Sequence, residues 1–398
     1  MFQNKHILLI VSGSVAAYKS AYFLRLLIKQ GAQVHVSMTA AAEKFVSPLT
    51  FATLSRFPVL TDIFQAEDGS VPHIEWAQWA DYIFVLPASA DIIAKIANGI
   101  ADDTASTIIL ASQAKKIVAP AMNDQMWDNP ATVRNIQQLK RDGILIIDPA
   151  DGFLAEGYEA KGRLPEPEDI LEQAQMRLLA EHGSLHGKNI LITAGGTREA
   201  IDPVRYISNR SSGKMGYALA QAAAEAGAKV TLIATQIRHL PYSVSLIKVE
   251  SAQEMLQAVQ DQFPQQDIFI SAAAVSDYRI VHPAKEKIKK TGKNDLTLVL
   301  QQNPDILADA GSHKTGHQFV VGFAAETQNL AVYAQEKLVK KHADMIIAND
   351  VSSTASGFNS DQNQVTIFQN KKTAITLPLQ DKQKLARGIM TEISNSIQ

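Results

Sequence analysis

The sequence predicts an α/β protein built from two tandem three-layer α/β domains, and three observations carry that reading. Short apolar runs alternate with helical patterns along the chain, as expected for parallel sheets covered on both faces. The alternation breaks at a short polar, glycine-containing stretch, EHGSLHG at 181–187, and then begins again. At 398 residues the chain is long enough to bury two or three separate cores.

The elements follow in order. HILLIVS at 6–12 reads as a buried parallel strand, 15–29 as a helix, and QVHVSM at 33–38 as a second strand. YIFVLP at 82–87 is a third strand and 89–98 a helix. TIILAS and KKIVAP are two further elements, the latter a strand. The first domain is placed at 1–180, a linker at 181–188 and the second domain at 189–398. In the second domain NILITAGG at 189–196 is strand then turn, 213–226 an alanine-rich helix, and KVTLIAT at 229–235 a strand. The runs at 267–275, 317–325 and 343–350 are further strands, 365–378 a hairpin, and 380–396 a closing helix. The turn motifs of the two halves differ, so the restart is not a sequence repeat.

Composition narrows the function. An apolar fraction of 46% with 20% charged residues fits a soluble globular protein. A net charge of −2 offers no general attraction for nucleic acid or membrane. With no cysteine, the chain has no disulfide, no thiolate metal site and no thiol nucleophile. The N-terminal apolar run is short and leads into a Gly-Ser turn and a helix, which fits a first strand better than a signal peptide. No apolar stretch reaches membrane-spanning length, so the cytoplasm is the expected location.

SGSVAAYK at 12–19 follows the first strand, and its small residues let backbone N–H groups approach a phosphate at a helix start. It lacks the three-glycine dinucleotide fingerprint, which argues against an NAD dehydrogenase. PHIEWAQWAD at 72–81, LPASADIIAKIANGIADD at 86–103 and APAMNDQMW at 119–127 complete a set. Together these resemble the flavin-dependent cysteine decarboxylases, in particular the phosphopantothenoylcysteine decarboxylase half of the bifunctional coenzyme A biosynthesis proteins. The resemblance implies a flavodoxin-like flavoprotein domain that binds FMN. It places Ser12, Gly13, Ser14 and Thr39 near the FMN phosphate, and Pro87, Ala88, Ser89 and Ala90 near the flavin, with Lys95 and Asp103 following. It makes His73 an active-site histidine and Asn123 the holder of the substrate carboxylate. Trp76, Trp79, Met126 and Trp127 fit either an assembly contact or an internal core.

The family's catalytic acid is a cysteine on a flap. Here the matching stretch is DGFLAEGYEAKGRLPEP at 151–167, and Glu156 stands where that cysteine is expected. An ordinary glutamate titrates near 4.3, so proton donation at neutral pH requires burial or another source of a raised pKa. Three outcomes stay open: full decarboxylation with Glu156 or water as donor, oxidative decarboxylation ending at an enethiol, or a structural flavin domain beside an active ligase. A ligase whose first domain holds no flavin is a further alternative.

The second half opens with TAGGTREAIDPVRYISNRSSGKMG at 193–216, a Gly/Ser/Thr-rich turn before a helix in which Arg205, Asn209 and Lys214 add polar and cationic side chains. SAAAVSDYR at 271–279, AKEKIKK at 284–290, NPDIL at 303–307, VGFAAET at 321–327 and IIANDVSSTASGFNSD at 346–361 follow. The ordered set resembles phosphopantothenate–cysteine ligase of the bacterial, CTP-using type, a Rossmann-like ligase domain. The resemblance implies an acyl-cytidylate made from 4′-phosphopantothenate and CTP, then attacked by the amine of cysteine. Charge develops on phosphoryl oxygens and then on a carbonyl oxygen, so cationic and amide donors are needed at both points. The resemblance gives Lys287 the triphosphate, with Lys289 nearby, and Asp277 the nucleotide, with Ala273 beside it. Asn209 serves conversion of the acyl-cytidylate and Arg205 positions it. Asn303, Pro304, Asp305, Ile306, Phe323, Lys337 and Lys341 complete the nucleotide site, with Lys340 adjoining. Mg²⁺ is expected because the triphosphate needs neutralising, although no carboxylate cluster marks its ligands. The family's homo-oligomers, up to a dodecamer, are the expected assembly.

Overall fold

The computed structural model describes residues 1–64, 70–289, 296–326, 330–350 and 360–397. It forms two compact units, Met1–Gln175 and Met176–Gln398. The division falls within the helix Pro167–Ala180. The 181–188 stretch belongs to the second unit. Leu185 is fully buried in that unit's core, and its N–H donates to the Ala226 carbonyl at 2.8 Å.

The first unit is built on six parallel strands: β1 (His6–Val11), β2 (Gln33–Met38), β3 (Val59–Leu60), β4 (Tyr82–Ala88), β5 (Lys115–Pro120) and β6 (Leu145–Ile146). They lie in the order β3-β2-β1-β4-β5-β6. Apart from the two-residue edge strand β3, this is the flavodoxin order, in which the chain runs one way from β1 and returns to the other side of it. Because β1 is central, its HILLIV run is apolar on both faces and buried from Ile7 onward. Leu8, Ile10, Ile83, Val85 and Val118 share one core with Ile92, Ile93 and Ile108. Elsewhere Phe84 packs edge-on to Phe2 and tilted against Phe23. TIILAS settles as the helix Thr104–Ala111, because the Asp103 side chain accepts from Ser106 N–H and Ser106 returns the bond in a capping box. The segment 151–167 contains an antiparallel hairpin, β7 (Ala150–Phe153) and β8 (Glu159–Arg163).

The second unit carries β9 (Asn189–Ala194), β10 (Arg198–Ala200), β11 (Tyr206–Ser208), β12 (Lys229–Ala234), β13 (Val244–Lys248), β14 (Ile268–Ser271), β15 (Tyr278–Ile280), β16 (Leu300–Gln302), β17 (Phe319–Glu326), β18 (Met345–Asp350), β19 (Gln362–Gln369) and β20 (Ile375–Asp381). Its main sheet runs β13-β12-β9-β14-β17-β18-β19-β20. The first six strands of that order are parallel and have the Rossmann arrangement, and β19 and β20 add the expected antiparallel hairpin. The predicted run 267–275 forms a strand only over Ile268–Ser271, and its remainder becomes loop at the sheet edge. The helix Lys214–Glu225 lies close on β9: a Cβ on Gly216 would meet Ala194 Cβ at 2.4 Å. Sequence patterning did not mark β3, β6 or β13, whose runs are short.

A ring stack sits on the first sheet. Trp79 lies between His6, with centroids 4.5 Å apart, and His35, 4.0 Å apart, both nearly parallel to it. Phe57 and Trp76 also face His35. Trp76 and Trp127 pack against the core, whereas Met126 is exposed. The His35 Nδ1 is buried without a hydrogen-bond partner among the described residues. Burial, and then the charge of His6, lower the His35 pKa from 6.5 to about 4. The unfolded chain therefore takes up a proton below pH 6.5 that the folded chain refuses until about pH 4, so stability falls as pH drops through that window. All three tryptophans lie in the first unit, so their fluorescence reports its unfolding. The midpoint of that thermal transition is expected to fall between pH 6.5 and about 4, and to fall less in His35→Gln; an equal slope in both proteins would reject the assignment.

Candidate functional site

Each sheet presents a candidate site at the C-terminal edge, where the chain diverges from the central strand. Ligands of open α/β sheets bind at this edge because adjoining loops separate there.

In the first unit the divergence lies between β1 and β4. Ser12 ties the two loops together: its hydroxyl donates to Pro87 O at 2.8 Å and accepts from Ser89 N–H at 2.9 Å. The Leu86–Pro87 peptide beside it is cis. A Cβ on Gly13 would meet Ala41 Cβ at 2.5 Å, so the loops after β1 and β2 can touch only because residue 13 has no side chain. Ser14, Thr39 and Ser89 each cap the start of a helical segment, accepting from Ala16, Ala42 and Ile92 N–H at 3.2, 3.3 and 3.3 Å. Each hydroxyl accepts in its cap and keeps its own O–H, so it can still donate to a phosphate at this edge alongside the remaining backbone amides. Pro87 and Ala88 are buried and Ala90 opens the helix Ala90–Asn98. Lys95 and Asp103 pair at 2.8 Å, and Lys95 also meets Asp102 at 2.8 Å and Asp91 at 3.6 Å. Burial pulls the Lys95 ammonium down, but the hydrogen bonds it donates to Asp102 and Asp103 override it and hold its pKa above the ordinary value. Lys95 thus joins Asp91, Asp102 and Asp103 in one ion cluster.

His73 starts the helix Pro72–Trp79 and is half-buried. Its Nδ1 is buried with no hydrogen-bond partner among the described residues. Such an atom is costly unless a bound group completes it, so the site fits a flavin and its substrate. Asn123 follows β5 and caps the short helix Asp124–Trp127, with Oδ1 accepting from Gln125 N–H at 2.8 Å. The hairpin reaches this point. Met122 N–H donates to Gly162 O at 3.1 Å, and a Cβ on Gly162 would come within 2.2 Å of Met122 O. Asn123 Nδ2 then donates to Glu156 Oε1 at 2.9 Å and to Tyr158 Oη at 3.0 Å. Glu166 anchors the hairpin's far end, accepting from Arg163 at 2.7 Å and from the buried Lys19 at 2.9 Å. Asn123 and Glu156, 33 positions apart, are therefore in direct contact. Sequence reasoning missed Tyr158 and Asp124, since an exposed tyrosine on a turn carries no signal until the hairpin folds over.

The second unit holds a cavity of about 680 Å³ that takes in Ser271 at the end of β14, Phe323 of β17 and Asn349 of β18, within the usual size range for small-molecule sites. Asn209, Ala273, Asp277, Asn303, Pro304, Asp305 and Ile306 line it, together with Phe323, Lys337 and Lys341. Its frame is backbone-rich. Gly195, with φ +88°, accepts from Ala274 N–H at 2.8 Å, and Asn209 Nδ2 donates to the carbonyls of Ala274 and Val275 at 3.3 and 3.0 Å. Asn303, nearly buried, donates to Ser276 O at 2.8 Å and accepts from Arg279 at 3.1 Å. Asp305 caps its helix through Ala308 N–H at 2.9 Å and pairs with Lys341. Lys214 pairs with Asp361 at 2.5 Å, and Lys382 lines the same wall. Burial first, and then the charge of Lys214, depress the Lys382 pKa. Sequence reasoning missed Lys382, Asn349 and Asn363, which come from strand and helix ends distant along the chain. Lys290, Thr327 and residues 351–359 of the quoted motifs lie outside the described residues.

Arg205, Lys287, Lys289 and Lys340 do not line this cavity. Arg205 instead joins a second cluster with the nearly buried Asp202. Asp202 accepts from the N–H groups of Val204 and Arg205 at 2.8 and 2.9 Å and of Ile288 at 3.1 Å, while Arg205 donates to Ile288 O at 2.9 Å. The Arg205 guanidinium, against some desolvation, holds the Asp202 carboxyl well below the ordinary carboxylate range. Asp202, which sequence reasoning missed, thus positions the loop bearing the exposed Lys287 and Lys289. Among the described residues no group of three or more His, Asp or Glu is placed to hold a metal ion. Among them, too, no helix is long and apolar enough to cross a membrane.

A family model described as Flavoprotein matches residues 1–179, and one described as DNA/pantothenate metabolism flavoprotein C-terminal domain matches 185–397. The chain is 46% identical over 398 residues to the coenzyme A biosynthesis bifunctional protein CoaBC of Bacillus subtilis (strain 168), covering 99% of this chain and 98% of that protein. The crystal structure of the C-terminal domain of a CoaBC protein is 41% identical and covers 54% of this chain and 97% of its own, with a TM-score of 0.46. The FMN binding protein AtHal3 is 33% identical and covers 45% of this chain and 98% of its own, with a TM-score of 0.40.

Asp202→Asn removes the charge that draws Arg205 and the Ile288 amide together. A charge-assisted hydrogen bond contributes roughly 1.5–3 kcal/mol. Hydrogen exchange at Ile288 N–H is therefore expected to accelerate about tenfold or more, with the amides of β9 unchanged. Unchanged protection at Ile288 would exclude Asp202 as the organiser of this loop.

Proposed function

The chain belongs to the CoaBC family of bifunctional coenzyme A biosynthesis proteins, and from that premise we propose how its own residues divide two reactions. It is a bifunctional enzyme whose first unit is an FMN-type flavoprotein domain. In our reading the second unit joins cysteine to 4′-phosphopantothenate using CTP, and the first decarboxylates the product to 4′-phosphopantetheine. The observation that carries the reading is the convergence of separate motifs on the cavity of about 680 Å³ at the end of β14.

In the ligase the triphosphate takes the cationic wall of Lys337, Lys341 and Lys214. Lys287 and Lys289 are brought to it on the loop that Asp202 and Arg205 order. Asp277 and Asn303 frame the nucleoside, beside Phe323. Mg²⁺, when bound, would be held chiefly by phosphate oxygens and water and would neutralise the triphosphate's charge, a role a small hard cation fills without a protein cage. Attack of the substrate carboxylate on the α-phosphorus releases pyrophosphate and leaves an acyl-cytidylate. Both Nδ2 hydrogens of Asn209 are engaged by backbone carbonyls. Its part in the second step therefore falls to Oδ1, which accepts from the attacking amine of cysteine. The choice of CTP rests on family membership.

In the decarboxylase FMN, when bound, supplies the redox chemistry, accepting two electrons from the substrate's thiol-bearing carbon and returning them after carbon dioxide has left. The protein binds and orients. The buried Nδ1 of His73 gains its missing partner from the bound ligands, and Asn123 Nδ2 holds the substrate carboxylate. Glu156 accepts from that same amide; in our reading its carboxyl borders the carbon that loses carbon dioxide and, exposed on the turn, passes it a proton drawn from solvent in a flap without cysteine. Similarity along the full length to bifunctional proteins supports complete decarboxylation over an inert flavin domain. We infer a cytoplasmic homo-oligomer.

Purified protein given FMN, Mg²⁺, CTP, 4′-phosphopantothenate and cysteine is expected to yield 4′-phosphopantetheine by mass spectrometry. If the products stop at 4′-phosphopantothenoylcysteine, the decarboxylase assignment fails. Glu156→Gln is expected to keep the ligase rate and to lose about 10²–10⁴-fold in finished product, the usual worth of a general acid, while the decarboxylated enethiol accumulates. Wild-type yield from that variant would remove Glu156 from the mechanism.

A further inference from the structure

The hydrogen bonds around Asn123 are fully committed. Its Oδ1 accepts from Gln125 N–H at 2.8 Å, which fixes the amide with its nitrogen toward the hairpin. Of the two Nδ2 hydrogens, one goes to Glu156 Oε1 at 2.9 Å and the other to Tyr158 Oη at 3.0 Å. An amide nitrogen has only two to give. A substrate carboxylate can reach Asn123 only by displacing one of these acceptors.

The two acceptors are held differently. Tyr158 donates its own hydrogen to Asp124 Oδ1 at 2.5 Å, so its ring oxygen is pinned from both sides. That bond to Asp124 raises the Tyr158 pKa, which keeps the phenol protonated and donating. Glu156 has no second partner recorded among the described residues, and it is exposed on the hairpin turn. The turn itself is firm: Leu154 N–H donates to Tyr158 O at 2.9 Å, Gly157 N–H to Leu154 O at 3.1 Å, and Gly157 has φ +89°. The Glu156 side chain can therefore swing away while the hairpin stays docked. The titratable groups recorded against this amide are Asp124, from the helix Asp124–Trp127, and Tyr158 and Glu156, from the hairpin.

We propose that the Glu156 carboxylate is an internal stand-in for the substrate's carboxylate, occupying the Asn123 amide until substrate displaces it, and that Tyr158, pinned by Asp124, is the positioning residue that aims that amide. This rests on the reading that Asn123 holds the substrate carboxylate. The stand-in and the substrate group share one chemistry and one hydrogen, so they exclude each other. Once displaced, Glu156 stays on the docked hairpin turn, from which its side chain can swing back as carbon dioxide departs and a proton is needed. The device discriminates: it opposes a ligand that brings a carboxylate and ignores one that does not, such as the decarboxylated product.

The test uses two unreactive ligands on the FMN-loaded full-length protein, with binding followed by flavin absorbance. One is 4′-phosphopantothenoylserine, which keeps the carboxylate but has a hydroxyl for the thiol. The other is its decarboxylated counterpart, 4′-phosphopantothenoyl-ethanolamine. Glu156→Ala is expected to tighten the serine ligand about fivefold, the scale of an exposed charged contact, and to leave the ethanolamine ligand unchanged. Tyr158→Phe is expected to weaken the serine ligand about fivefold and spare the other; a purely structural role would shift both alike and would overturn the positioning assignment. Asn123→Ala separates the two levels. Selective loss of the serine ligand in Asn123→Ala, with no gain in Glu156→Ala, sinks the stand-in and keeps the Asn123 reading. No selective loss in Asn123→Ala sinks that reading and the stand-in together.

Discussion

Both units depend on one constraint, the close approach of loops where the chain leaves its central strand in opposite directions. A sheet that reverses its winding there opens a crevice, and the crevice keeps its shape only if the flanking loops are tied across it. In the first unit the Ser12 hydroxyl makes that tie, donating to Pro87 O and accepting from Ser89 N–H. In the second, Ala274 N–H donates to Gly195 O, and the Asn209 amide spans the carbonyls of Ala274 and Val275. Missing side chains matter as much as bonds. A Cβ at Gly13 or Gly216 would enter Ala41 or Ala194, and either intrusion would prise open the edge at which ligands bind.

This constraint explains how polar groups are employed. At the C-terminal edge of the first sheet, Ser14, Thr39 and Ser89 cap helix starts by accepting from backbone N–H groups, which holds their O–H hydrogens at the mouth of the edge. In the second unit, Asp202 gathers three amides and a guanidinium and so holds the loop at Ile288. Such supporting groups fix the backbone from which the exposed Lys287 and Lys289 project.

Glu156, in the place where the resembling family has a cysteine, owes its position to the hairpin's docking. Glu156 on an open turn would be an ordinary solvated carboxylate. The hairpin, seated by the Met122–Gly162 contact and anchored through Glu166 on Lys19 and Arg163, delivers it to Asn123. Tyr158 and Asp124 complete the arrangement, and a reading of residue types along the chain has no means of seeing them. Lys382 and Asn363 were hidden for the same reason: each is an unremarkable residue beside a hairpin strand, and only the sheet order carries it to the cavity wall.

The sequence by itself determined the two α/β units, their long strands and the motifs at each sheet edge. Apolar runs and glycine-rich turns record local periodicity and local steric need, and these survive in one dimension. Short strands such as β3 and β6 escaped because two residues make no pattern. Which residues act together was decided by tertiary structure alone. Asn123 meets Glu156 across 33 positions, and Lys214 meets Asp361 across 147. Such meetings follow from strand order and loop closure, whose driving force is the burial of the whole core and is written in no single segment.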